Sequence, residues 1–222
     1  MKNIKTIIWD FDGTLANSHE AIFHCARLAF SDSGVTEEEV NIAFNKIVNG
    51  GLIFSDACKA LGLPEEKNNY YFDRYRDNYS KYAHDLTTLF PKVEETLSKL
   101  NSTGILNLVF SNKREQIVIE AVAKKGLTKY FSKVYGILEN GAKKPEIEVF
   151  TTRILPDYPN IIAETTIVVG DTIADMQLAK NIGAGSCFAK YGSDNGYGTN
   201  LVMNINPDWV INGVEEVLQL FV

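Results

Sequence analysis

Short apolar runs alternate with amphipathic stretches along most of the 222-residue chain. The runs are rich in β-branched residues, and they predict buried strands at 4–10, 105–111, 134–138, 166–170 and 185–189, with a weaker sixth near 201–205. The stretches between them have the helical period and predict helices at 93–100, 117–123, 146–155, 171–182 and 210–221. Strands that alternate with helices are typical of a parallel sheet with helices on its faces. The pattern therefore predicts an α/β fold.

The stretch from about residue 16 to residue 86 breaks this alternation, because it contains helical periods and no convincing strand. The predicted helices cover 18–30, 37–48, 52–61 and 65–82, and Thr36 with Glu39 forms a capping-box pattern at the start of the second one. We expect a Rossmann-like parallel sheet core, flanked by helices and built from residues 1–15 and 87–222. An all-helical domain of residues 16–86 is expected as an insert after the first strand.

Charge and hydropathy exclude several classes of partner. The net charge is −6, whereas a nucleic-acid groove needs a basic face, so no nucleic-acid partner is expected. A small anionic substrate stays open, because a bound cation and a few donors can reverse the local charge. No apolar run approaches the roughly 18 residues of a membrane span. The first apolar stretch, residues 6–9, is too short for the core of a signal peptide.

The three cysteines, Cys25, Cys58 and Cys187, lie far apart in apolar surroundings. Their spacing matches no metal-binding pattern, so we expect buried thiols in a reducing compartment. Together with the absence of a predicted leader or membrane span, this indicates a cytoplasmic protein. Nothing in the pattern favours a monomer over a dimer.

Polar residues that could carry chemistry follow four of the predicted strands. In an open parallel sheet the carboxyl ends of the strands meet at one edge, and ligands bind there. Topology would therefore bring the four groups together, although tens of residues separate them along the chain.

The first group is the string Asp-Phe-Asp-Gly-Thr at residues 10–14. Asp10 and Asp12 are two positions apart at a strand end, so their side chains can face the same side. A divalent cation would turn the repulsion between two close carboxylates into attraction for the metal. A carboxylate held in this way can attack phosphorus, while its neighbour moves a proton to and from the leaving oxygen. A plain strand-end turn is the alternative, although the complete string is rarer than such turns.

The second and third groups offer donors for a phosphate. Ser111 and Asn112 follow the second strand, where a hydroxyl and backbone amides can bind phosphoryl oxygens. Helix capping by the same two residues is an equal alternative. Lys143 and Lys144 precede Pro145, and a lysine is a compact positive charge suited to phosphate. Without further context a solvated basic pair is the more common arrangement, and the choice between the two lysines stays open.

The fourth group is the string Gly-Asp-Thr-Ile-Ala-Asp at residues 170–175. Mg²⁺ prefers oxygen ligands and takes one or two carboxylates together with phosphate and water. Asp171 at the strand end can bind the ion directly, and Asp175, one helical turn further, can bind it directly or through water. An aspartate that only caps the following helix is the alternative.

In these four motifs, their order and their places after strands, the chain resembles the haloacid dehalogenase superfamily of phosphohydrolases. The similarity is to the phosphoglycolate-phosphatase-like branch with a helical cap, and it covers nearly the whole chain. The resemblance implies that Asp10 is the nucleophile and Asp12 the general acid and base. It also implies that Ser111 and Asn112 bind the substrate phosphate. It selects Lys144, directly before proline, for catalysis and phosphate binding.

The same resemblance implies Mg²⁺ as the cofactor, held by Asp10, Asp171 and the backbone carbonyl of Asp12, with Asp175 direct or through water. The implied activity is hydrolysis of a small, phosphoglycolate-like phosphomonoester through an aspartyl-phosphate. Asp12 argues against dehalogenation, since a halide needs no proton. A phosphosugar mutase stays open, although those relatives often have glutamate at the place of Gly170. A catalytically silent phosphate-binding or regulatory protein is the non-enzymatic alternative.

The helical insert is expected to be a lid with hinges near residues 16–17 and 85–88. Relatives place a substrate-discriminating loop where this chain has Asn49, Gly50 and Gly51, although a glycine C-cap is the more common reason for such a sequence. Arg74 and Arg76 could steer an anionic substrate. Packing or surface roles are expected for the tyrosines at helical spacing and for the histidines: Tyr71, Tyr75, Tyr79, Tyr82, His19, His24 and His84.

Overall fold

The computed structural model describes residues 4–50, 54–139, 141–193 and 197–221, without the side chains of 47–50 and 197. In chain order the first half contains β1 (Thr6–Trp9), β2 (Ala16–Asn17), α1 (His19–Ala29), α2 (Glu37–Gly50), α3 (Phe54–Ala60), α4 (Asn68–Leu86), β3 (Thr88–Leu89) and α5 (Val93–Ser102). The second half contains β4 (Leu106–Arg114), α6 (Glu115–Lys124), β5 (Lys133–Ile137), β6 (Thr166–Gly170), α7 (Ile173–Ile182), β7 (Gly185–Ala189), α8 (Tyr197–Met203) and β8 (Trp209–Ile211).

Six strands form one parallel sheet in the order β5-β4-β1-β6-β7-β8. In the central strand β1, Ile8 is paired with Leu108 of β4 on one side and with Val168 of β6 on the other. All of β1 is buried, because apolar side chains cover both faces of the sheet. Ile7 and Trp9 pack into one core, and Ile8 packs into the other. The predicted α/β fold with a parallel sheet is confirmed.

The last strand lies further along the chain than the sequence pattern predicted. Residues 201–205, predicted as a weak strand, belong to the end of α8 and the turn that follows it. The sixth strand is β8, and the predicted helix at 210–221 is reduced to the 3₁₀ segment Val214–Phe221. The Asp208 carboxylate accepts hydrogen bonds from the N–H and the hydroxyl of Ser186 at 2.8 and 2.9 Å, which docks β8 beside β7. Such a contact between distant residues leaves no local periodicity in the sequence.

Two other elements differ in extent from their predictions. The helix predicted at 146–155 is a π-helical segment, Val149–Ile154. Strand β4 continues to Arg114, beyond its predicted end at residue 111, because Arg114 pairs with Ile137 of β5 after an irregularity in register. This extension brings Lys113 and Arg114 to the edge of the sheet where the polar motifs meet.

Helices α1 to α4 pack against one another around an apolar core of their own. Aromatic rings occupy its centre: the ring centroid of Phe30 lies 5.9 Å from that of Phe44, 5.6 Å from Phe54 and 5.0 Å from Tyr71. Within the described part of residues 16–86, β2 is the only strand. The non-alternating stretch of the sequence is therefore helical, as its periodicity indicates.

A short antiparallel ribbon connects these helices to the sheet. Ala16 pairs with Leu89, and Asn17 pairs with Thr88. The end of α4 is held from the other side by Lys125, whose Nζ donates to the carbonyl oxygens of residues 84 and 87 at 2.8 and 2.6 Å. The predicted hinge at 16–17 coincides with β2, and the one near 85–88 runs from the end of α4 into β3. Their motion and the boundaries of the helical domain stay predictions.

The cysteines are buried and free, as the sequence indicates. Burial raises the pKa of Cys25 and Cys58 to about 11, so these thiols stay protonated and unreactive near neutral pH. In the described residues, none of the helices combines the length and the apolar composition needed to cross a membrane.

Candidate active site

The four polar motifs meet at the carboxyl edge of the sheet. Asp10 directly follows β1, Asp171 directly follows β6, and Ser111 lies in the second half of β4. These three strands are neighbours, so the topology of the sheet brings their ends together. Lys144 comes from the segment that follows β5, the edge strand beside β4.

Lys144 lies at the centre of the charged cluster. Its side chain is 3% exposed, and its Nζ is 2.8 Å from Asp10 Oδ1 and 2.6 Å from Asp175 Oδ1. Burial disfavours the ammonium form, but the two carboxylates outweigh this effect and raise the pKa of Lys144. The neighbouring Lys143 is half-buried, and its side chain takes no part in these contacts. The structure thus places Lys144, rather than Lys143, against the candidate nucleophile.

Burial also increases the proton affinity of two acids in this cluster. The pKa of Asp10 is raised to about 7, mainly by burial, while Lys144 opposes the shift. The pKa of Asp171 is raised well above its usual value, first by burial and then by repulsion from Asp10 and Asp175. A divalent cation between these acids would lower both values again, because it favours the ionised carboxylates.

The acidic cluster has the composition of a magnesium site. One oxygen each of Asp10, Asp171 and Asp175 lies within 4.8 Å of the other two, and all three residues are buried. Asp171 Oδ2 is buried without a hydrogen-bond partner. A Cβ on residue 13 would lie 2.1 Å from this oxygen, so the close approach of the backbone requires Gly13. The oxygen-only donor set fits Mg²⁺.

Asp175 is used by other contacts within the protein. Its Oδ1 accepts a hydrogen bond from Lys144. Its Oδ2 accepts from the N–H and the hydroxyl of Thr172 at 3.1 and 2.6 Å, in the capping box that begins α7. The Thr14 hydroxyl orients Asp171 in a similar way, donating to Oδ1 at 3.1 Å. Of the two predicted roles for Asp175, contact with the ion through water is the one that these bonds favour.

Asp12 lies in a different environment from the three clustered acids. Its Oδ1 accepts hydrogen bonds from the Ser18 hydroxyl at 2.5 Å and from Lys113 Nζ at 2.7 Å. The same Nζ donates to the hydroxyl oxygen of Tyr79 at 2.6 Å. The Asp12 carboxylate therefore faces the cavity side of the site with donors around it, which suits proton exchange better than metal ligation.

The two side chains of the second motif make different contacts. Ser111 is 2% exposed, and its Oγ accepts the N–H of Lys113 at 3.1 Å, so its own proton is available to a ligand. The side-chain amide of Asn112 donates to the carbonyl of Lys144 and accepts its N–H, at 3.1 and 2.8 Å. Through these two bonds the Asn112 side chain holds the backbone of Lys144. Phosphate binding by Asn112 stays a prediction.

A cavity of about 480 Å³ lies in front of these groups. Asp10, Asp12, Ser111 and Lys144 line it on the side of the sheet. Helices α3 and α4 line the opposite side with side chains that the sequence reasoning did not assign to the site: Phe54, Asn68 and Phe72. Their positions depend on how the helical unit packs over the sheet edge, which no local pattern encodes.

The tyrosine stripe contributes to both packing and the cavity. Tyr71 and Tyr79 are buried in the helical core, which confirms the packing prediction for these two. Tyr75 and Tyr79 also line the cavity. Among the histidines, His24 packs edge-on against Tyr82, whereas His19 lines the cavity, a position that the sequence did not indicate.

The two arginines that were candidates for steering a substrate lie away from this cavity. Arg74 donates to the Asp32 carboxylate at 2.6 Å and so ties α4 to the turn after α1. Arg76 lines a separate cavity beside the ribbon. The side chains of Asn49 and Gly50, and all of Gly51, lie outside the described residues.

Comparison with known proteins gives full-length matches. A phosphoglycolate phosphatase of Vibrio parahaemolyticus is 28% identical over 225 aligned positions, covering 99% of this chain and 96% of that protein. A phosphoglycolate phosphatase of Aquifex aeolicus is 28% identical over 191 positions, covering 85% and 86%. The crystal structure of a predicted phosphoglycolate phosphatase from Haemophilus somnus has the same fold, with a TM-score of 0.86 over 100% of both chains at 24% identity.

A family model described as haloacid dehalogenase-like hydrolase matches residues 7–189. The match runs from β1 to the end of β7 and contains all four polar motifs. The chain belongs to the haloacid dehalogenase-like hydrolases.

Proposed function

We propose that the protein is a magnesium-dependent phosphatase that hydrolyses small phosphomonoesters through a phosphate ester of Asp10. The observation that carries the proposal is the surrounding of Asp10. This buried carboxylate has Lys144 at 2.8 Å and an unpartnered oxygen of Asp171 in the same cluster. A site of this kind can hold a cation and a phosphate together. The full-length relatives named phosphoglycolate phosphatase support the same reaction class and make 2-phosphoglycolate the first substrate to assay.

In the first half-reaction, an Asp10 carboxylate oxygen attacks phosphorus and forms a new O–P bond. The bond from phosphorus to the alcohol oxygen breaks, and the leaving oxygen takes a proton from Asp12. Lys144 and Ser111 donate hydrogen bonds to the phosphoryl oxygens, where negative charge is concentrated in the transition state. Both donors are buried, so their electrostatic interactions with the phosphoryl group are stronger than they would be in water.

In the second half-reaction, the ionised Asp12 takes a proton from a water molecule. The water oxygen bonds to phosphorus while the Asp10–phosphorus bond breaks, which releases inorganic phosphate and restores both acids. Asp12 thus returns to its starting state after each turnover. Its hydrogen bonds from Ser18 and Lys113 orient the carboxylate for both proton transfers.

The side chains of Asp10 and Asp171 and the backbone carbonyl of Asp12 would hold Mg²⁺, with Asp175 reaching it through water. When bound, Mg²⁺ supplies charge neutralisation between the carboxylate and the phosphate dianion. Thr14 and Thr172 keep Asp171 and Asp175 in place by the hydrogen bonds described above.

We also propose that residues 16–86 act as a cap on the core formed by residues 1–15 and 87–222. The cavity wall from α3 and α4 supports this role, because it covers the sheet edge opposite Asp10. Closure would exclude water during the first half-reaction. A cytoplasmic location is part of the proposal, and the three free, buried thiols support it.

The packing at residue 170 favours a phosphatase over a phosphosugar mutase. A Cβ on Gly170 would lie 2.1 Å from Cγ of Asp175, the carboxylate that also accepts from Lys144. A glutamate, which mutase relatives often have at this place, would displace Asp175 and with it the partner of Lys144. The absence of a side chain at this position is therefore part of how the catalytic lysine is held.

The proposal is tested by measuring phosphate release from a panel of phosphomonoesters with Mg²⁺. The panel should contain 2-phosphoglycolate, sugar phosphates and nucleoside monophosphates, and the sugar phosphates should also be analysed for isomer formation. Phosphate release without isomers is the expected result. Isomer formation at a rate above phosphate release would establish the mutase instead, and no reaction with any ester would leave only a phosphate-binding protein.

Removal of one acid from the cluster should affect metal binding and the stability of the metal-free protein in opposite directions. Asp171→Asn relieves repulsion among buried carboxylates, so we expect the metal-free variant to melt a few degrees above the metal-free wild type. Saturating Mg²⁺ should raise the Tm of the wild type by several degrees and that of the variant much less. Thermal unfolding with EDTA and with Mg²⁺ measures both, and the exposed Asp73→Asn serves as the control. An undiminished Mg²⁺ shift in Asp171→Asn would exclude Asp171 as a ligand.

A further inference from the structure

The wall of the cavity that faces the site is a continuous row of aromatic rings. The centroid of Tyr79 lies 5.7 Å from that of Tyr75, Tyr75 lies 5.2 Å from Phe54, and Phe54 lies 5.3 Å from Phe72. All four side chains line the same cavity as Asp10. We call this row the aromatic wall. Arg114, from the sheet side, closes its far end with its guanidinium 4.3 Å above the ring of Phe72.

The other end of the aromatic wall, at Tyr79, lies close to Asp12, the acid that protonates the leaving group in the proposed mechanism. Lys113 Nζ bridges Asp12 and the hydroxyl of Tyr79, at 2.7 and 2.6 Å. The leaving oxygen must lie at Asp12, so the rest of the alcohol extends from Tyr79 along the rings towards Arg114. The body of the substrate therefore meets aromatic side chains along this path.

The charges along this path do not suit a short carboxylate. Lys144 is paired with Asp10 and Asp175, and Lys113 is paired with Asp12. Among the described cations that line the cavity, only Arg114 has no carboxylate partner, and it lies at the far end of the wall. The cavity volume of about 480 Å³ also falls within the roughly 300–1,000 Å³ of pockets that hold drug-sized ligands. A two-carbon acid would leave most of it unfilled.

One unsatisfied polar atom lies beside the rings. The side-chain oxygen of Asn68 is buried and has no hydrogen-bond partner among the described residues. Asn68 is four residues before Phe72 on α4, so both project from the same helix face into the cavity. A buried amide oxygen without a partner costs free energy, which a ligand hydrogen bond would recover.

We propose that the leaving group is an alcohol bearing a planar aromatic ring, which stacks on the aromatic wall and donates a hydrogen bond to Asn68. This inference rests on the proposed phosphatase activity and specifies its substrate class. Rings prefer offset or edge contacts with other rings, and such contacts add to the gain from apolar burial. Phe72 and Asn68 are then specificity-determining residues on α4.

The test compares four alkyl phosphates whose reacting ends are chemically alike: benzyl, 3-hydroxybenzyl, cyclohexylmethyl and ethyl phosphate, together with 2-phosphoglycolate. With the full-length protein and Mg²⁺, we expect kcat/KM for benzyl phosphate to exceed that for ethyl phosphate and 2-phosphoglycolate by at least about tenfold. Benzyl should exceed cyclohexylmethyl phosphate by about threefold, because only the first can stack. A further gain is expected for the 3-hydroxybenzyl ester.

Variants of Phe72 and Asn68 test whether the preference for aromatic esters comes from the aromatic wall. Phe72→Leu should lower kcat/KM for benzyl phosphate about tenfold and that for ethyl phosphate by a smaller factor, whereas Phe72→Tyr should retain the benzyl rate. Asn68→Ala should abolish only the advantage of 3-hydroxybenzyl over benzyl phosphate. Phe23→Leu is the matched control, because Phe23 packs on the same helical core but lines a different cavity.

The outcomes distinguish this inference from the proposed function. Hydrolysis of all five esters with 2-phosphoglycolate preferred, or equal losses for benzyl and ethyl phosphate in Phe72→Leu, would overturn the aromatic preference and leave the phosphatase intact. Failure of the wild type to release phosphate from any ester would overturn both proposals.

Discussion

Asp10→Asn should reduce kcat for phosphate release by about 10⁴-fold or more while the protein stays folded. An amide oxygen is too weak a nucleophile to attack phosphorus, yet asparagine has nearly the shape of aspartate. The fold should tolerate the change because the carboxylate is costly where it is. Burial raises the pKa of Asp10 to about 7, and Lys144 keeps Asp175 as a partner. Steady-state phosphate release and circular dichroism on the same preparation measure the two effects.

Asp12→Asn is the matched control, because it removes the other acid of the same motif. With 4-nitrophenyl phosphate, whose leaving oxygen departs without a proton, the first half-reaction should still proceed in this variant. Without a base for the water, the second half-reaction should stall, so phosphate should remain bound to Asp10. Acid quenching followed by mass spectrometry of the peptide containing Asp10 should find the phosphoryl group in Asp12→Asn and not in Asp10→Asn. Retention of more than a tenth of wild-type kcat by Asp10→Asn would refute its assignment as nucleophile.

The sequence was sufficient to predict the parts of the site that depend on strand order. Asp10, Ser111 and Asp171 each lie at the end of a buried apolar run, and a parallel sheet brings such ends together whatever the loops do. Gly13 belongs to the first of these motifs, but its contact with Asp171, far along the chain, is visible only in the structure. Each of these motifs consists of contiguous residues that follow a strand, so it can be recognised from a pattern of five or six positions.

Features that depend on contacts between distant segments could not be predicted from the same patterns. Lys113 reaches Asp12, 101 residues earlier, only because β4 continues past Ser111 along β5. Asn112 bonds the backbone of Lys144 across 32 residues, a use that its position in a phosphate motif did not suggest. In both cases the side chain has several possible partners, and tertiary packing decides among them.

The aromatic wall shows why cap residues are hard to assign from periodicity alone. Tyr75 and Tyr79 have the spacing of a packed helix face, and they do pack. The angle between the helices and the sheet decides which of these side chains also line the cavity. Helical period therefore identified the core of the helical unit, and the structure was needed to identify the surface that it offers to a ligand.

Lys144→Met should have the largest combined effect on stability and activity. The variant leaves Asp10 and Asp175 buried side by side without a cation, and removal of one partner of a buried ion pair typically costs about 3–5 kcal/mol. It also removes a donor to the phosphoryl group, which typically lowers kcat about 10²–10³-fold. Lys143→Met is the control, because it changes the adjacent lysine, whose side chain is outside the cluster; it should alter the unfolding free energy by less than about 0.5 kcal/mol.

Urea unfolding with and without Mg²⁺ shows how much of the stability that Lys144 provides comes from its positive charge. A divalent ion in the acidic cluster neutralises part of the same negative charge, so Mg²⁺ should stabilise Lys144→Met more than it stabilises the wild type. The activity should not recover in parallel, since a cation in the acidic cluster would not replace the hydrogen bond that Lys144 donates to the phosphoryl group. Equal stabilities of the two lysine variants would show that the 2.8 Å contact between Lys144 and Asp10 contributes little to the fold. Recovery of full kcat by Mg²⁺ would show that the lysine acts only as a counter-charge.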